Sequence, residues 1–402
     1  MFSNKIFFTI LLLFFIPSSL YIGSIKIGPL ISGLILIYYI SYTILKKDHI
    51  TKISFLNTIY SLKQLINLSI LNYFSILLYL SIQYLFFSAI YQSFICKIQT
   101  TSIKHVKRYF YIFLTSLIGV NTLVYLNIIP QFGHGYNLSL YGVNDKSGFT
   151  GVFDNYTASI IFAFTVICLI SFLFDNKKNK FLTFICIIAG VFFTYKTYFR
   201  TGYICLIIGS ITYFIFTTEI NFKKKIIYSI FILSITIAAF SYLFINDEIF
   251  KYRITDKSIY NQDDTNTNKR LGSGRVDFFM SGIAIFNESN IALKFFGYGL
   301  PETTNLMENK VGMKIFMHNE FMNSLIQNGI IGLCIFIAFD ILLFIKINKY
   351  TKSKYYPLSL SCYITLNTYY ILQGGPFPII YVFISYSILL QKMDQINRLT
   401  SK

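Results

Sequence analysis

The chain has 402 residues, 54% of them hydrophobic and only 13% charged, with a net charge of +18. A soluble domain carries about 25% charged residues, so this composition excludes an ordinary soluble fold. The positive charge is spread in loop clusters between apolar blocks, which argues against a nucleic-acid surface.

The apolar residues come in blocks of roughly 17–25, the length a helix needs to cross a bilayer. In chain order the blocks predict spans at 6–22, 28–45, 109–129, 153–174, 181–198, 202–218, 226–245, 319–345, 355–372 and 376–391. The first block follows Lys5 as a signal peptide would, but no small-x-small cleavage site comes after it, so it reads as a retained helix. The stretch 53–95 is too long for one crossing, and Lys63, Gln64 and Asn67 interrupt it as two. Short cytoplasmic loops collect Lys and Arg. The clusters at Lys46/Lys47/Lys52, Lys97 to Arg108, Lys177 to Lys180, Lys223 to Lys225, Lys346 to Lys354 and Lys392 to Lys402 share one side only if 53–95 crosses twice. The expected fold is an all-α, polytopic transmembrane helix bundle of about 12 helices (10–12), both termini cytoplasmic. Helices with short loops fill 1–245, one large outer-face loop fills 246–317, and the last helices fill 318–402. The cysteines show no paired spacing and those inside the blocks read as small hydrophobes.

The large loop carries nine basic and nine acidic residues, over half of the chain's 17 acids. Within it Ser273 is a candidate cap for a helix over 274–287, with Val276, Phe279, Ile283 and Phe286 on one face. The polar tract Asp256–Asn268 reads as a loop.

Polar features gather at the outer side. His318 stands where the loop runs into the span 319–345, and Asn319, Asn323 and Gln327 follow at helical spacing. Polar groups in a span face the bundle interior or a watery cavity. An interfacial histidine followed by interhelical hydrogen bonding accounts for the same pattern. Arg200, Arg253, Arg270 and Arg275 all map to this side, with Lys196 one turn before Arg200. A guanidinium grips phosphate oxygens with two parallel donors, whereas snorkelling to the interface is its structural alternative.

The order of these elements resembles the O-antigen polymerase/ligase group of bacterial membrane glycosyltransferases. The resemblance rests on Gly151-Val152-Phe153-Asp154-Asn155 before a span, Arg200 at an outer turn, and Arg253, Gly274-Arg275 and Gly297-Tyr298-Gly299 in the large loop. It ends on His318-Asn319 ahead of Gly329 and Gly332. It covers about half the chain, roughly 148–345. Phe199 stands where the group often has Ser, and Tyr156 follows Asn155 where Pro-Asn is common.

The resemblance implies a surface-polysaccharide polymerase of the bacterial inner membrane that takes an undecaprenyl-pyrophosphate-linked oligosaccharide and joins it to an acceptor sugar hydroxyl. His318 is the expected general base, with Glu320, about 100° round the helix from Asn319, as a substitute. Arg200, Arg253, Arg275, Lys196, Asn319 and Tyr298 are the expected pyrophosphate and substrate contacts. No carboxylate cluster suggests a metal, so transfer is expected to be metal-independent, without a cofactor, and inverting at the anomeric carbon. Membrane lipids, a flippase and a chain-length regulator are the expected partners. A ligase moving the finished chain to lipid A core shares every motif. A lipid-linked sugar transporter is the reading from another class, and the absence of an internal repeat weighs against it.

Overall fold

A computed structural model of the protein describes residues 21–22, 25–26, 58–59, 102–131, 148–153, 155–175, 179–217, 221–255, 275–312, 314–374 and 378–400. The spans expected at 6–22, 28–45 and 53–95 lie almost wholly outside these residues. So do Arg270, the tract Asp256–Asn268 and the capping Ser273. The described residues are helical apart from turns and a two-residue antiparallel pair, β1 (Tyr21–Ile22) and β2 (Ile25–Lys26).

Helices α1 (Ile103–Tyr125), α2 (Asn155–Asp175), α3 (Lys180–Lys196), α4 (Arg200–Phe216) and α5 (Phe222–Asn246) follow the predicted spans to within a few residues. The described residues of the large loop form four helices: α6 (Glu248–Thr255), α7 (Arg275–Glu288), α8 (Ile291–Phe296) and α9 (Leu300–Val311). The chain closes with α10 (Glu320–Asn348), α11 (Tyr356–Leu372) and α12 (Pro378–Thr400). Among the described residues, α2 from Thr157 and α10 are long and apolar enough to cross a membrane.

Helix α2 is nearly all apolar, so it is buried on every side, and α1, α3, α4, α11 and α12 pack around it. Small residues let the helices close. Gly209 of α4 sits where a Cβ would fall 2.3 Å from Ile167 and from Thr365. Ser361 donates to the Gly209 carbonyl at 2.9 Å, and the Cys205 thiol lies 3.8 Å from the Thr365 carbonyl. This register is antiparallel, so the start of α4 at Arg200 lies level with the end of α11.

Polar groups mark the two ends of the bundle. At one end Asp175 gathers Lys107, the Lys354 ammonium at 2.5 Å and the Tyr355 hydroxyl at 2.6 Å, while Asp394 accepts from Ser353 at 2.9 Å and from Arg398 at 3.0 Å. Lys107, Lys354 and Arg398 come from three of the basic clusters expected to share a side. The α3–α4 turn, His318 and Gln373 stand at the opposite end.

Helix α10 is broken. Gly329 has φ 70° and ψ −174°, and the chain folds back there so sharply that the rings of Phe321 and Phe336 meet at 5.3 Å. In a straight helix those residues would be roughly 22 Å apart along the axis. The expected span at 319–345 is therefore two segments, Glu320–Asn328 and Ile330–Asn348. The break frees carbonyls, which cannot be left bare away from water. Ile326 O accepts from Tyr298 N at 2.9 Å and Gln327 O from Gly299 N at 2.8 Å. Gly297 and Gly329 make this backbone-to-backbone seat, since a Cβ on Gly297 would fall 2.4 Å from the Gln327 carbonyl carbon and one on Gly329 2.2 Å from Phe295 O.

A second, methionine-rich core lies beneath this joint: Phe278, Ile285, Met307, Met317, Met322 and Ile326. It shows which side of α7 packs inward. Phe278, Gly282 and Ile285 are buried, Ile283 and Phe286 pack beside them, and Val276 and Phe279 are exposed. Apolar residues line more than one face of α7. Gly282, 2.8 Å from the Met317 sulfur by its notional Cβ, selects the face that docks.

Candidate functional site

The site is built where three elements meet: the start of α7, the segment leading into α10, and the end of α11. Asn319 caps α10, its Oδ1 accepting from Met322 N at 3.0 Å, and its amide donates to Ile371 O of α11 at 3.1 Å. Asn323 reaches back one turn to accept from Met317 N at 3.2 Å. Two residues of the predicted polar stripe thus hold the backbone on either side of His318. Gly374, with φ 69°, seats the end of α11 against them: a Cβ there would fall 2.9 Å from Glu320 N and 3.1 Å from the Asn323 amide nitrogen.

His318 takes a left-handed backbone conformation, φ 51°, uncommon for a residue with a Cβ. Its ring packs on Phe278 at 5.9 Å, and its Nδ1 lies 3.1 Å from Gln373 Nε2. Gln373 Oε1 accepts from Arg275 Nη2 at 3.0 Å. Burial, reinforced by the positive charge of Arg275, pushes the His318 pKa down to about 4, and a contact with the Gln373 backbone works in the opposite direction. The imidazole is neutral at pH 7.

The other predicted residues divide. Tyr298 turns its hydroxyl to Ser289 Oγ at 2.8 Å, and its backbone seats the α10 break. Arg200 opens α4 and Lys196 closes α3, both at the His318 end of the bundle. The Lys196 ammonium lies over the rings of Tyr195 at 5.1 Å and Tyr198 at 5.9 Å, a cation–π clamp. Beside it a cleft of about 490 Å³ is lined by Tyr195, Tyr198, Tyr242, Asn246 and Asp247 among others. Arg253 falls on α6. Glu320 is buried in the first turn of α10. Gln373 was not among the predicted residues. The one signal for it is an amide followed by two glycines between apolar spans.

Most of the residues just described, though not those at the end of α11, fall in one stretch of sequence with a family match. Residues 182–337 match the family Wzy_C, O-antigen ligase. The chain carries an O-antigen ligase family domain. No curated protein matches it. This O-antigen ligase domain runs from α3 to the second segment of α10 and contains Lys196, Arg200, Arg253, Arg275, Tyr298, His318 and Asn319; Gln373 lies beyond it. The family covers ligases and polymerases, and it implies a glycan-transferring enzyme with a lipid-linked glycan substrate. With the two apolar helices it makes the chain an integral membrane protein.

Proposed function

We propose that the protein is a surface-polysaccharide polymerase that transfers an undecaprenyl-pyrophosphate-linked glycan to an acceptor sugar hydroxyl at the outer face of the inner membrane. The observation that carries this reading is the meeting of His318, Asn319 and Arg275 at one end of the bundle, next to the helices of the large loop. A departing diphosphate needs fixed positive charge and N–H donors in a site of low dielectric. Arg275 supplies both there, and Lys196 and Arg200 add cations at the same end. The transfer forms a glycosidic bond from the acceptor oxygen to the anomeric carbon, breaks the bond to the diphosphate oxygen, and inverts the centre.

The second reading is a ligase that moves the finished glycan to lipid A core, favoured by the family's own description. A deletion strain complemented with wild type or His318→Ala separates the two. A surface ladder collapsed to one repeat unit marks a polymerase, and failure of the variant to restore it makes His318 necessary. Long polymer retained on the lipid carrier marks a ligase. An unchanged ladder on deletion rejects both readings.

A further inference from the structure

The cleft beside Lys196 takes no part in the contacts around His318. It opens where α3, the α3–α4 turn, α5 and α6 meet, and its described lining is Tyr195, Tyr198, Tyr242, Asn246, Asp247 and Glu248 with two aliphatic residues. At about 490 Å³ it falls within the roughly 300–1,000 Å³ of small-ligand sites. Two carboxylates and no lysine or arginine stand in that lining, so its charge disfavours a diphosphate. The tyrosines, the amide and the carboxylates instead match a sugar ring. A pyranose has a face of polarised C–H bonds that lies on the electron-rich face of an aromatic ring, and a rim of hydroxyls that donate to carboxylates.

We propose that this cleft is a saccharide subsite: it holds uncharged sugar residues of the glycan, while the diphosphate stays with Arg275, Lys196 and Arg200. The inference rests on the glycan-transfer reading and adds to it the class of sugar.

The inner wall is rigid. Asp247 Oδ1 accepts from Phe250 N at 3.0 Å, its Oδ2 accepts from the Tyr195 hydroxyl, and the Tyr198 hydroxyl lies 3.5 Å from the same oxygen. The two tyrosine rings stand edge to face at 5.6 Å. Buried Phe250 packs beneath them against Tyr195 at 6.1 Å, Tyr203 at 5.7 Å and Phe240 at 5.3 Å. Tyr198 has φ 55°, a backbone uncommon for an aromatic residue and one that costs energy to hold. A wall ordered in advance spares a weak ligand the cost of ordering it. The mouth is open by contrast: Tyr242 is 66% exposed and presents its ring, and Glu248 is exposed beside it. Asn246 donates one amide N–H to Tyr242 O at 2.9 Å, and an amide has a second N–H and an acceptor oxygen to offer a hydroxyl. The Lys196 ammonium, over the Tyr195 and Tyr198 rings but outside the lining, marks the boundary between sugar and phosphate.

The chain has no tryptophan, so Tyr242→Trp places a single fluorescent reporter at the mouth of the cleft. The full-length variant is titrated in a sugar-free detergent with three probes: oligosaccharides released by mild acid from the producing strain's own surface polysaccharide, glucuronate, and inorganic pyrophosphate. The expected result is a saturable emission change with neutral oligosaccharide, at an apparent affinity at least 10-fold above that of glucuronate or pyrophosphate. Ile245→Trp, at a residue 76% exposed and outside the lining, should stay silent. No response to neutral oligosaccharide, an equal response to either anion, or an equal response in Ile245→Trp overturns the subsite. Glu248→Gln in the reporter background removes one exposed charge and should narrow the preference over glucuronate roughly 3-fold; an unchanged preference overturns the charge argument. Should the reporter fold poorly, saturation-transfer NMR from the wild-type protein to the same oligosaccharide gives the answer without it. Micelles carrying the lipid-linked glycan and no free saccharide tell the two sources apart: a response there assigns the cleft to a carrier-bound chain, and a response to free saccharide alone assigns it to an acceptor arriving from water. Both uphold the sugar site. A surface ladder unaffected by deleting the gene would reject the glycan-transfer reading while leaving the binding result intact.

Discussion

The joint between Gly297-Tyr298-Gly299 and the break in α10 can be tested by one methyl group. In Gly329→Ala the new Cβ would lie 2.2 Å from Phe295 O and 2.6 Å from Phe296 N, both backbone atoms that cannot swing aside, at φ 70°. The left-handed backbone alone costs roughly 1–2 kcal/mol with a side chain, and forcing an overpacked contact adds about 1–3 kcal/mol. A loss of roughly 2–5 kcal/mol raises local opening about 30-fold or more. The amides of Tyr298 and Gly299, which bond to Ile326 and Gln327, report it by hydrogen exchange of the peptide that contains them. Gly312→Ala is the matched control, since its φ is 78° but nothing lies within 4 Å of the new Cβ; it should cost only the backbone share. Exchange at Tyr298 and Gly299 no faster in Gly329→Ala than in Gly312→Ala would refute the close-seated joint.

Arg275→Lys keeps the charge but loses the planar fork, and with it the fixed contact to Gln373; charged hydrogen bonds contribute about 1.5–3 kcal/mol, so polymer formation should fall roughly 10- to 100-fold in a complementation assay. The His318 pKa, lowered from 6.5 to about 4, makes a prediction of definite sign. Above the ordinary value the ring is neutral folded or unfolded and pH has no effect through it. As pH falls from 6.5 toward 4 the unfolded chain takes a proton that the folded one refuses, so stability declines by up to roughly 3 kcal/mol. His318→Asn should remove that part of the acid sensitivity in a melt series between those pH values. At the other end, Asp175→Asn leaves the ammonium groups of Lys107 and Lys354 facing an uncharged amide. Both lysines are partly solvated, so the expected loss is about 1–3 kcal/mol, read as a lower melting midpoint that added salt narrows against wild type.

Much of this arrangement is legible in the sequence. Apolar blocks of the right length give α1 to α5 and α10 to α12, because burial in lipid leaves the backbone no alternative to helix. Loop charge gives the grouping of Lys107, Lys354 and Arg398 at one end. The glycines at Gly297, Gly299 and Gly329 stand out individually, yet their mutual seating is a contact between segments 30 residues apart that no local pattern encodes. The break at Gly329 is hidden for the same reason. The sequence is apolar on both sides of it, so a period-3.6 reading runs straight through, and only the amides of Tyr298 and Gly299 make a fold-back affordable. Gln373 is harder still. An isolated amide carries no periodicity, and its meaning depends on Arg275, 98 residues away, and His318, 55 away. The inward side of α7 is not legible either, because apolar residues occur round more of the helix than one partner can cover.

The fold-back at Gly329 also changes the length of α10 that is free to cross a bilayer. Its 29 residues, drawn out as one straight rod at 1.5 Å per residue, would measure roughly 44 Å, well beyond a hydrocarbon layer of about 30 Å. Such a rod would have to tilt steeply or thicken the lipid around it. Measured from the break instead, Ile330–Asn348 comes to roughly 28 Å, one hydrophobic thickness with no mismatch to absorb. Glu320–Asn328 is then a short wedge doubled back against the head of the crossing. That wedge has Asn319 at its N-terminal tip and holds the His318 segment against the end of α11.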